Sequence, residues 1–546
     1  MFLIVIRLFG VLCAGRIAAQ TADLVVENAI VYTVDPARPK ASALAVKDGK
    51  FLAVGTDMKK HIGPSTRRID AKGAAVIPGL IDSHVHMRSL GDMLETMDLR
   101  GVSSIEEIAK RVAAKAASLP KGTWIRGRNW DQTNWGGKFP VAADLDKVSP
   151  DHPVYLTRVD GHAGWGNSLA LTAGGVTKST EDPKGGQIIR DAAGVPTGIL
   201  VDRAQALVSR KIPPLTEDQI EARLARAAQE CARLGMTTVH DAGISRQELE
   251  AYRRLIAKGK LPVRIYAMIG GAGDLWQDYL QRGPEIGDRL TVRSIKLVAD
   301  GAMGSRGAAF FQPYSDDKQN SGLLILQKEY IRDVAKDAVA KGFQVNTHAI
   351  GDRANRTVLD AYGEALEGRK DRRFRVEHAQ VVSLPDFKLY ADYAVIASLQ
   401  STHATSDMRW AKDRLGPDRL LGAWAPRRFL NAGVRITNGS DFPVEDPNPF
   451  WGLYSAITRM DHQGNPPGGF MPDQKLNREE TLKSWTLDGA YAAFEESKKG
   501  SITPGKLADF LILTKDVMTV EPKEILTTLP ATTYLGGEAV FKNGSN

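Results

Sequence analysis

AAVIPGLIDSHVHM, residues 74–87, is an apolar segment that ends in three polar side chains, Asp82, His84 and His86. Side chains alternate in direction along an extended strand, so His84 and His86 point to the same side with Cα atoms roughly 6.6 Å apart. Two imidazoles therefore face one point in space at the end of this segment.

Seven further apolar runs also end in polar side chains, which gives eight strand candidates. They are AAVIPGLIDSH, MTTVHDAG, VRIYAMI, SIKLVADG, FQVNTHAIGD, FRVEHAQ, AVIASLQ and VRITNGSD. Helical segments alternate with them. One helix begins at a capping box of Thr216 and Gln219, and another runs from about 328 to 341 and ends at Gly342. This alternation predicts the α/β class, and eight is the number of strands that a closed (β/α)8 TIM-like barrel requires.

Two segments at the chain ends do not fit the barrel. Residues 22–77 and 501–546 contain short alternating strands with turns, and they predict one composite β-sandwich domain formed by both chain ends. The barrel then spans residues 78–500. It includes a long insertion after the first barrel strand, at about 87–214, which is rich in Trp, Gly and Pro. Long loops at the C-terminal face of a barrel usually belong to the site.

Composition and charge argue against a nucleic-acid-binding protein. Residues 1–20 resemble a secretory signal peptide. Its removal would take Arg7 and Arg16 and change the formal net charge of +8 to 8 − 2 = +6, which is dilute over the remaining chain.

No later apolar run reaches the roughly 18 residues of a membrane span. We therefore expect a secreted or periplasmic protein, with a cytoplasmic location as the alternative, that acts on a small molecule. A homo-oligomer is compatible with this sequence.

Histidines concentrate at the predicted strand ends. Five of the ten histidines lie there or one residue away: His84, His86, His240, His348 and His378. Neutral imidazole is the commonest zinc ligand, and a barrel brings strand ends from distant sequence to one rim. A single strand histidine is more often a hydrogen-bonded core residue, but the set of five favours a metal site.

Asp441 and Lys296 complete the candidate site. Asp441 follows the last barrel strand and could bind a metal while accepting a proton from a metal-bound water. The alternative is an aspartate that caps a turn or helix before Pro443. Lys296 lies in an apolar strand, where burial lowers the pKa of an ammonium group from about 10.4. A neutral amine can add CO2 to become a carbamate, which would supply an anionic bridge between two metals.

Seven motifs carry a resemblance to a known family. They are PGLIDSHVHM, GHAGWGNSLAL, KLVADGAMGSRGAA, NTHAIGDRANRTVLDAY, RVEHAQ, NGSDFPVEDPNPFWGLYSAITR and KGSITPGKLADFLIL. In this order they resemble the amidohydrolase superfamily, and within it the YtcJ-like branch that includes N-substituted formamide deformylases, over nearly all of residues 22–546. The resemblance implies a barrel with a flanking β-sandwich and two divalent metal ions, for which zinc is favoured. The implied ligands are His84, His86, Lys296 as its CO2-derived carbamate, His348, His378 and Asp441.

The same resemblance implies hydrolysis of a carbon–nitrogen bond outside peptides, such as an N-formyl or N-acyl amide. His84, His86 and Asp441 would bind the more buried ion. His348 and His378 would hold the second ion, to which the carbamate would bridge. A metal-bridging hydroxide would attack the carbonyl, and Asp441 would pass its proton to the leaving nitrogen. The alternatives are an esterase, lactonase or phosphoesterase with the same centre, and a non-catalytic relative, against which the complete ligand set argues.

Five further residues are expected near the substrate: Trp130, His162, Trp165, Arg306 and His403. His162, Trp165 and Arg306 match family positions near the pocket. His403 matches a family segment in which it would contact the substrate or lie behind the ligands. Trp130 and Trp165 belong to an aromatic-rich stretch that suits the wall of an apolar pocket. The alternative is that these tryptophans form a small core inside the insertion.

Overall fold

The computed structural model describes residues 20–158, 161, 163–183, 186–304 and 306–544. The predicted signal segment therefore lies outside the described residues, except for Gln20, and so does His162. Within the described ranges, no helix is both long and apolar enough to cross a membrane.

Eight parallel strands form the barrel, and each coincides with one of the eight predicted segments. In chain order they are β1 (Leu80–Val85), β2 (Met236–Ile244), β3 (Arg264–Gly270), β4 (Leu290–Val298), β5 (Gln344–Ala349), β6 (Arg375–His378), β7 (Ile396–Leu399) and β8 (Ile436–Asn438). Strands that follow one another in the chain are hydrogen-bonded neighbours from β1 to β8. The predicted barrel is therefore confirmed.

Helices cover the outside of the barrel and bury its apolar strand faces. They are Glu217–Arg233, Arg246–Ala257, Leu275–Arg282, Lys328–Lys341, Asp352–Leu366, Phe387–Asp392, Ser401–Leu420, Pro426–Asn431, Pro449–Thr458, Arg478–Ser484 and Leu487–Ala492. The predicted capping box is present, because the Thr216 side chain accepts from the main-chain N–H of Gln219 and the Gln219 side chain accepts from that of Thr216. Gly342 ends its helix with φ 76°, a left-handed conformation that glycine adopts readily.

Both chain ends contribute to a two-sheet sandwich beside the barrel. One sheet contains Lys50–Gly55, Ala43–Lys47, Leu24–Glu27 and Arg67–Asp70. The other contains Glu538–Lys542, Pro530–Leu535, Phe510–Leu513, Ala75–Pro78, Ile30–Tyr32 and Lys40–Ala41. Phe510–Leu513 pairs antiparallel with Ala75–Pro78, so a strand from the end of the chain continues a sheet that begins near its start. A short helix, Pro522–Ile525, precedes the strand Pro530–Leu535.

The insertion after β1 has a sheet and helices of its own. Its strands, in sheet order, are Gly186–Arg190, Pro196–Asp202, Ala163–Gly166, Val154–Arg158, Ile125–Trp130 and Met97–Asp98. Its helices are Met87–Glu95, Ile105–Ala117, Ala142–Asp146, Ser168–Ala173 and Ala206–Ser209. Leu99, Ile125, Leu156 and their neighbours form an apolar core inside this unit.

A buried ion pair joins the sandwich to the barrel. Arg264, the first residue of β3, is 3% exposed and donates to Asp509 through Nε (2.8 Å to Oδ2) and Nη2 (3.0 Å to Oδ1). Asp509 lies directly before the strand Phe510–Leu513 and also accepts from the main-chain N–H of Gly536. A third guanidinium nitrogen of Arg264 donates to Asp288, whose side chain is largely exposed. Arg264 therefore links the sandwich to the barrel at the first residue of β3.

We predict that Asp509→Ala lowers the free energy of unfolding by about 3 kcal/mol, because it leaves the Arg264 charge buried with one exposed partner. Urea denaturation followed by circular dichroism measures the effect. Asp288→Ala is the matched control and should cost less than about 1 kcal/mol, since it removes an exposed partner of the same arginine. Equal losses in the two variants would contradict the prediction.

Candidate metal centre

The six predicted ligands meet at the C-terminal mouth of the barrel. Asp441 Oδ1 lies 3.3 Å from His86 Nε2 and 3.6 Å from His84 Nε2. Lys296 Nζ lies 3.4 Å from His84 Nε2. The ring centroids of His84 and His378 are 4.9 Å apart, and the ring of His348 lies 4.5 Å beyond that of His378. Residues from five strand ends thus line one side of a single cavity.

The contact between the two end strands of the barrel brings Asp441 to the histidines. The Asp441 main-chain N–H donates to His84 O (2.8 Å), and that of His86 donates to Phe442 O (3.0 Å). Asp82 accepts from the main-chain N–H of Ser440 (3.0 Å) and from its hydroxyl (2.6 Å). A Cβ atom on Gly439 would lie 2.6 Å from Asp82 Oδ1, so this approach of the two strands requires glycine.

Three of the histidines are oriented by hydrogen bonds at Nδ1. His84 Nδ1 donates to Glu377 Oε2 (2.5 Å) and His86 Nδ1 to Ala242 O (3.0 Å). His378 Nδ1 donates to Gln400 Oε1 (2.7 Å). With Nδ1 occupied as a donor, Nε2 of each ring carries the lone pair, which is the tautomer that a metal ligand needs.

Glu377 is itself held by a charge buried inside the barrel. The Arg375 guanidinium binds Glu377 with Nε 2.8 Å from Oε1, and both side chains are fully buried. It also donates to His240 Nδ1 (3.0 Å) and to Ser398 Oγ (3.0 Å). Burial favours the neutral acid, but Arg375 and His84 keep the pKa of Glu377 below its usual value. Glu377 is therefore an anionic acceptor beneath the His84 ring.

Burial also sets the protonation of the candidate ligands. Desolvation and the nearby Lys296 lower the pKa of His84 to about 4, and desolvation with the neighbouring His348 lowers that of His378 well below its usual value. Burial opposes the ionisation of Asp441, but contacts with His86 and His84 hold its pKa below the ordinary range. Desolvation lowers the pKa of Lys296. The site thus combines neutral imidazoles with a carboxylate at neutral pH.

This donor set fits divalent metal ions. The ligand atoms of His84, His86 and Asp441 lie within 4.8 Å of one another, and those of His378, His403 and Asp441 do so too. Asp441 Oδ1 and the Nε2 atoms of His348 and His403 are buried without a hydrogen-bond partner in the described structure. Imidazole nitrogen and carboxylate oxygen are ligands for zinc and for related first-row metals.

A cavity of about 440 Å³ opens in front of these residues. Its walls are mainly apolar and come from the loop after β4 and from the helix Ser401–Leu420 after β7. The apolar lining residues include Val298, Met303, Ile350, Trp410 and Val444. His403, Asp407 and Glu445 add polar groups to the same cavity. None of the described residues of the insertion lines it.

The structure corrects three of the expected substrate contacts. Trp130 and Trp165 are 0% exposed and pack against each other with ring centroids 6.1 Å apart. Their indole N–H groups donate to Leu156 O (2.8 Å) and Val141 O (3.0 Å), so they form the core of the insertion.

Arg306 is not among the residues that line the cavity, because its guanidinium is engaged by Asp316 (3.0 Å). His403 does line the cavity. His162 lies outside the described residues.

Sequence reasoning missed three buried acids that organise the site. Asp82 joins β1 to the loop after β8, and Glu377 orients His84. Asp300 accepts from the main-chain N–H groups of Ala309, Ile350 and Gly351, and thereby ties the loop after β4 to the loop after β5. The only signal for them in the sequence is an acidic residue beside a predicted ligand or at a strand end.

Comparisons with known proteins agree with this fold. A model of the Amidohydrolase family matches residues 67–541, so the chain belongs to this family. It is 34% identical to Protein LONG AFTER FAR-RED 3 of Arabidopsis thaliana, over 96% of this chain and 92% of that protein. It is 31% identical to the putative amidohydrolase YtcJ of Bacillus subtilis (strain 168), over 94% of this chain and 98% of that protein. It is 29% identical to N-substituted formamide deformylase of Arthrobacter pascens, over 95% of this chain and 98% of that protein.

Among solved structures, an uncharacterized metal-dependent hydrolase from Pyrococcus furiosus matches with a TM-score of 0.76 at 28% identity. The match covers 91% of this chain and 100% of that one. The predicted relationship to the amidohydrolases and to their YtcJ-like members is therefore confirmed, and the class is that of a metal-dependent hydrolase.

We predict that Trp130→Ala and Trp165→Ala each lower the free energy of unfolding by about 3–5 kcal/mol, because each leaves a large cavity in a closed core. Denaturation followed by circular dichroism measures this loss. Trp410→Ala is the control, since Trp410 borders the open cavity and its removal should change stability much less. A change in substrate preference without loss of stability in the Trp130 variant would contradict the assignment.

Proposed function

We propose that this protein hydrolyses a carbon–nitrogen bond outside peptides, in an N-formyl or N-acyl amide, and that it uses two divalent metal ions, with zinc favoured. The observation that carries the proposal is the meeting of Asp441 with His84 and His86 in front of a buried lysine and two further histidines. The similarity to N-substituted formamide deformylase supports the choice of bond.

The ligands would divide between two ions. His84, His86 and Asp441 would hold the more buried ion, and His348 and His378 the second, with His403 beside them. Bound metal would acidify a water molecule and polarise the carbonyl group of the substrate. Asp441 has φ 58°, a conformation that costs a non-glycine residue energy and fixes the direction of its carboxylate.

Asp441 is the residue that moves protons in this proposal. As a carboxylate it can accept the proton that the attacking water loses, and as an acid it can donate that proton to the leaving nitrogen. Its Oδ1 lies 3.6 Å from His84 Nε2 and 3.3 Å from His86 Nε2, and its Oδ2 lies 3.8 Å from His403 Nε2. Each catalytic cycle thus returns Asp441 to its starting charge.

Lys296 would act as a bridging ligand after carboxylation. Its neutral Nζ would form a bond to the carbon of CO2 and lose one proton, which gives a carbamate anion. The residue is buried at the end of β4, close to His84 and on the same cavity wall as His348 and His378. A carbamate there would offer two oxygen ligands, one toward His84 and His86 and one toward His348 and His378.

The purified protein should contain about two divalent metal ions per chain and lose hydrolytic activity with a chelator, because six ligands can support two ions. Elemental analysis and assays against N-formyl, N-acyl, cyclic amide and ester substrates measure both. Zinc should restore the activity. Hydrolysis of esters but of no amide would show that the protein is an esterase. Absence of bound transition metal under every loading condition would overturn the mechanism.

Lys296→Ala should lose metal and reduce kcat by about a hundredfold or more, because the second ion loses its bridging ligand. A small carboxylic acid added in solution should restore part of both. Lys341→Ala, an exposed lysine at a helix end, is the control and should retain the parental metal content. Full activity of Lys296→Ala would show that the lysine serves only the structure.

A further inference from the structure

Two carboxylates that line the cavity form no ion pair with a lysine or arginine within the described residues. Asp407 lies on the helix Ser401–Leu420 and accepts from Gln380 Nε2 (3.3 Å). Glu445 follows Asp441 in the loop after β8 and accepts from Ser406 Oγ (2.5 Å). No ion pair joins either carboxylate to a lysine or arginine within the described residues. Both carboxylates face the space in which a substrate would lie.

Arg409, two residues after Asp407 on the same helix, is exposed, and its charge opposes the rise that burial causes in the pKa of Asp407. Two other arginines near this wall are engaged by a different carboxylate. Arg306 and Arg414 both bind Asp316, on the far side of the loop after β4. Among the described residues that line the cavity, Lys296 is the single lysine and there is no arginine. If Lys296 becomes a carbamate, the cavity has no positively charged side chain, and a substrate carboxylate would meet only like charge outside the metal ions.

His403 gives a second sign of a ligand in this space. The residue is 8% exposed, and its Nε2 has no hydrogen-bond partner in the described structure. It lies between the metal centre and the acidic pair, with its ring stacked at 6.0 Å from that of His378. Buried polar atoms are nearly always paired, so this Nε2, which has Asp441 Oδ2 at 3.8 Å but no hydrogen bond, points to a bound metal ion or a substrate atom.

Apolar side chains line the same cavity as the acidic pair. Trp410 lies one turn after Asp407 on the same helix, and Val298, Met303 and Val444 border the same space. A flat or aliphatic group can therefore fill the middle of the cavity, with its polar ends at His403 and at the two carboxylates. Such division of a pocket into an apolar body and few polar contacts is what fixes the orientation of a small ligand.

We propose that the preferred substrates are amides whose non-reacting part is an apolar, preferably aromatic, group that carries a protonated amine. Asp407 and Glu445 bind the ammonium group, Trp410 packs against the apolar part, and His403 forms a hydrogen bond to a polar atom next to the scissile bond. This inference rests on the proposed amide hydrolysis. It adds that charge at the distal end of the substrate determines the choice among amides.

The test compares three formamides that differ only in distal charge. They are N-formyl-4-(aminomethyl)benzylamine, its neutral 4-ethyl analogue and 4-(formamidomethyl)benzoate. With the zinc-loaded full chain, kcat/KM should be about tenfold higher for the cationic compound than for the neutral one, as for a partly buried ion pair. It should be lower still for the benzoate. A neutral compound that is hydrolysed as well as the cationic one would overturn the inference.

Variants show whether the acidic pair causes the preference. Asp407→Asn and Glu445→Gln should each reduce the ratio of cationic to neutral kcat/KM several-fold, because each removes one counter-charge. Asp413→Asn is the matched control on the same helix, exposed and outside the cavity, and should leave the ratio unchanged. Unchanged ratios in both cavity variants would overturn the assignment even if the parental preference exists.

A binding experiment separates this inference from the proposed reaction. Calorimetry should show that the parental protein binds 4-methylbenzylamine, a cation at neutral pH, about tenfold more tightly than the neutral 4-methylbenzyl alcohol, and that Asp407→Asn reduces the difference. If no formamide is hydrolysed but this preference holds, the reaction is wrong and the charge selectivity stands. If formamides are hydrolysed and the amine and the alcohol bind equally, the reaction stands and the selectivity is wrong.

Discussion

The contact between the first and last barrel strands is the constraint on which the centre depends. Asp82 takes hydrogen bonds from Ser440, and Gly439 lets the two main chains approach closely enough for this. Asp441 then lies beside His84 and His86, although more than three hundred residues separate them in the chain. The same contact therefore closes the barrel and assembles half of the candidate metal centre. This explains why an aspartate precedes the two histidines at a spacing of two.

Charges inside the barrel extend this organisation beneath the metal centre. A buried ion pair such as Arg375–Glu377 is weak evidence for stability, because desolvation of both groups offsets their attraction. Here it serves geometry, since Glu377 fixes the ring of His84 and Arg375 holds Glu377 against β1 and β7 through Ser83 O and Ser398. An apolar core of the same volume would stabilise the barrel equally well, but no carboxylate would then fix the tautomer of His84.

The sequence predicted those features that are encoded over short distances. Each of the eight strands is a local apolar run that ends in polar residues, and the motifs around the six candidate ligands are local as well. The roles of Asp82, Glu377 and Asp300 could not be predicted, because their partners lie on other strands. The expectation that Trp130 and Trp165 line the substrate pocket was wrong for a related reason. Aromatic residues in a Gly-rich and Pro-rich insertion suit a pocket wall or a small core equally, and only the packing of six strands decides between them.

The position of the cavity walls follows from how firmly each loop is held. The insertion has a core of its own and contributes no described residue to the cavity, whereas the loop after β4 and the helix after β7 do. The helix begins at Ser401, directly after β7, and Asp300 ties the loop after β4 to the loop after β5 by three main-chain hydrogen bonds. The helix after β7 and the hydrogen-bonded loop after β4 are both fixed directly to barrel strands, and a binding site needs supports that are fixed in this way. Selectivity in this protein should therefore come from the walls nearest the strands that hold the ligands, and the size of the insertion is no guide to it.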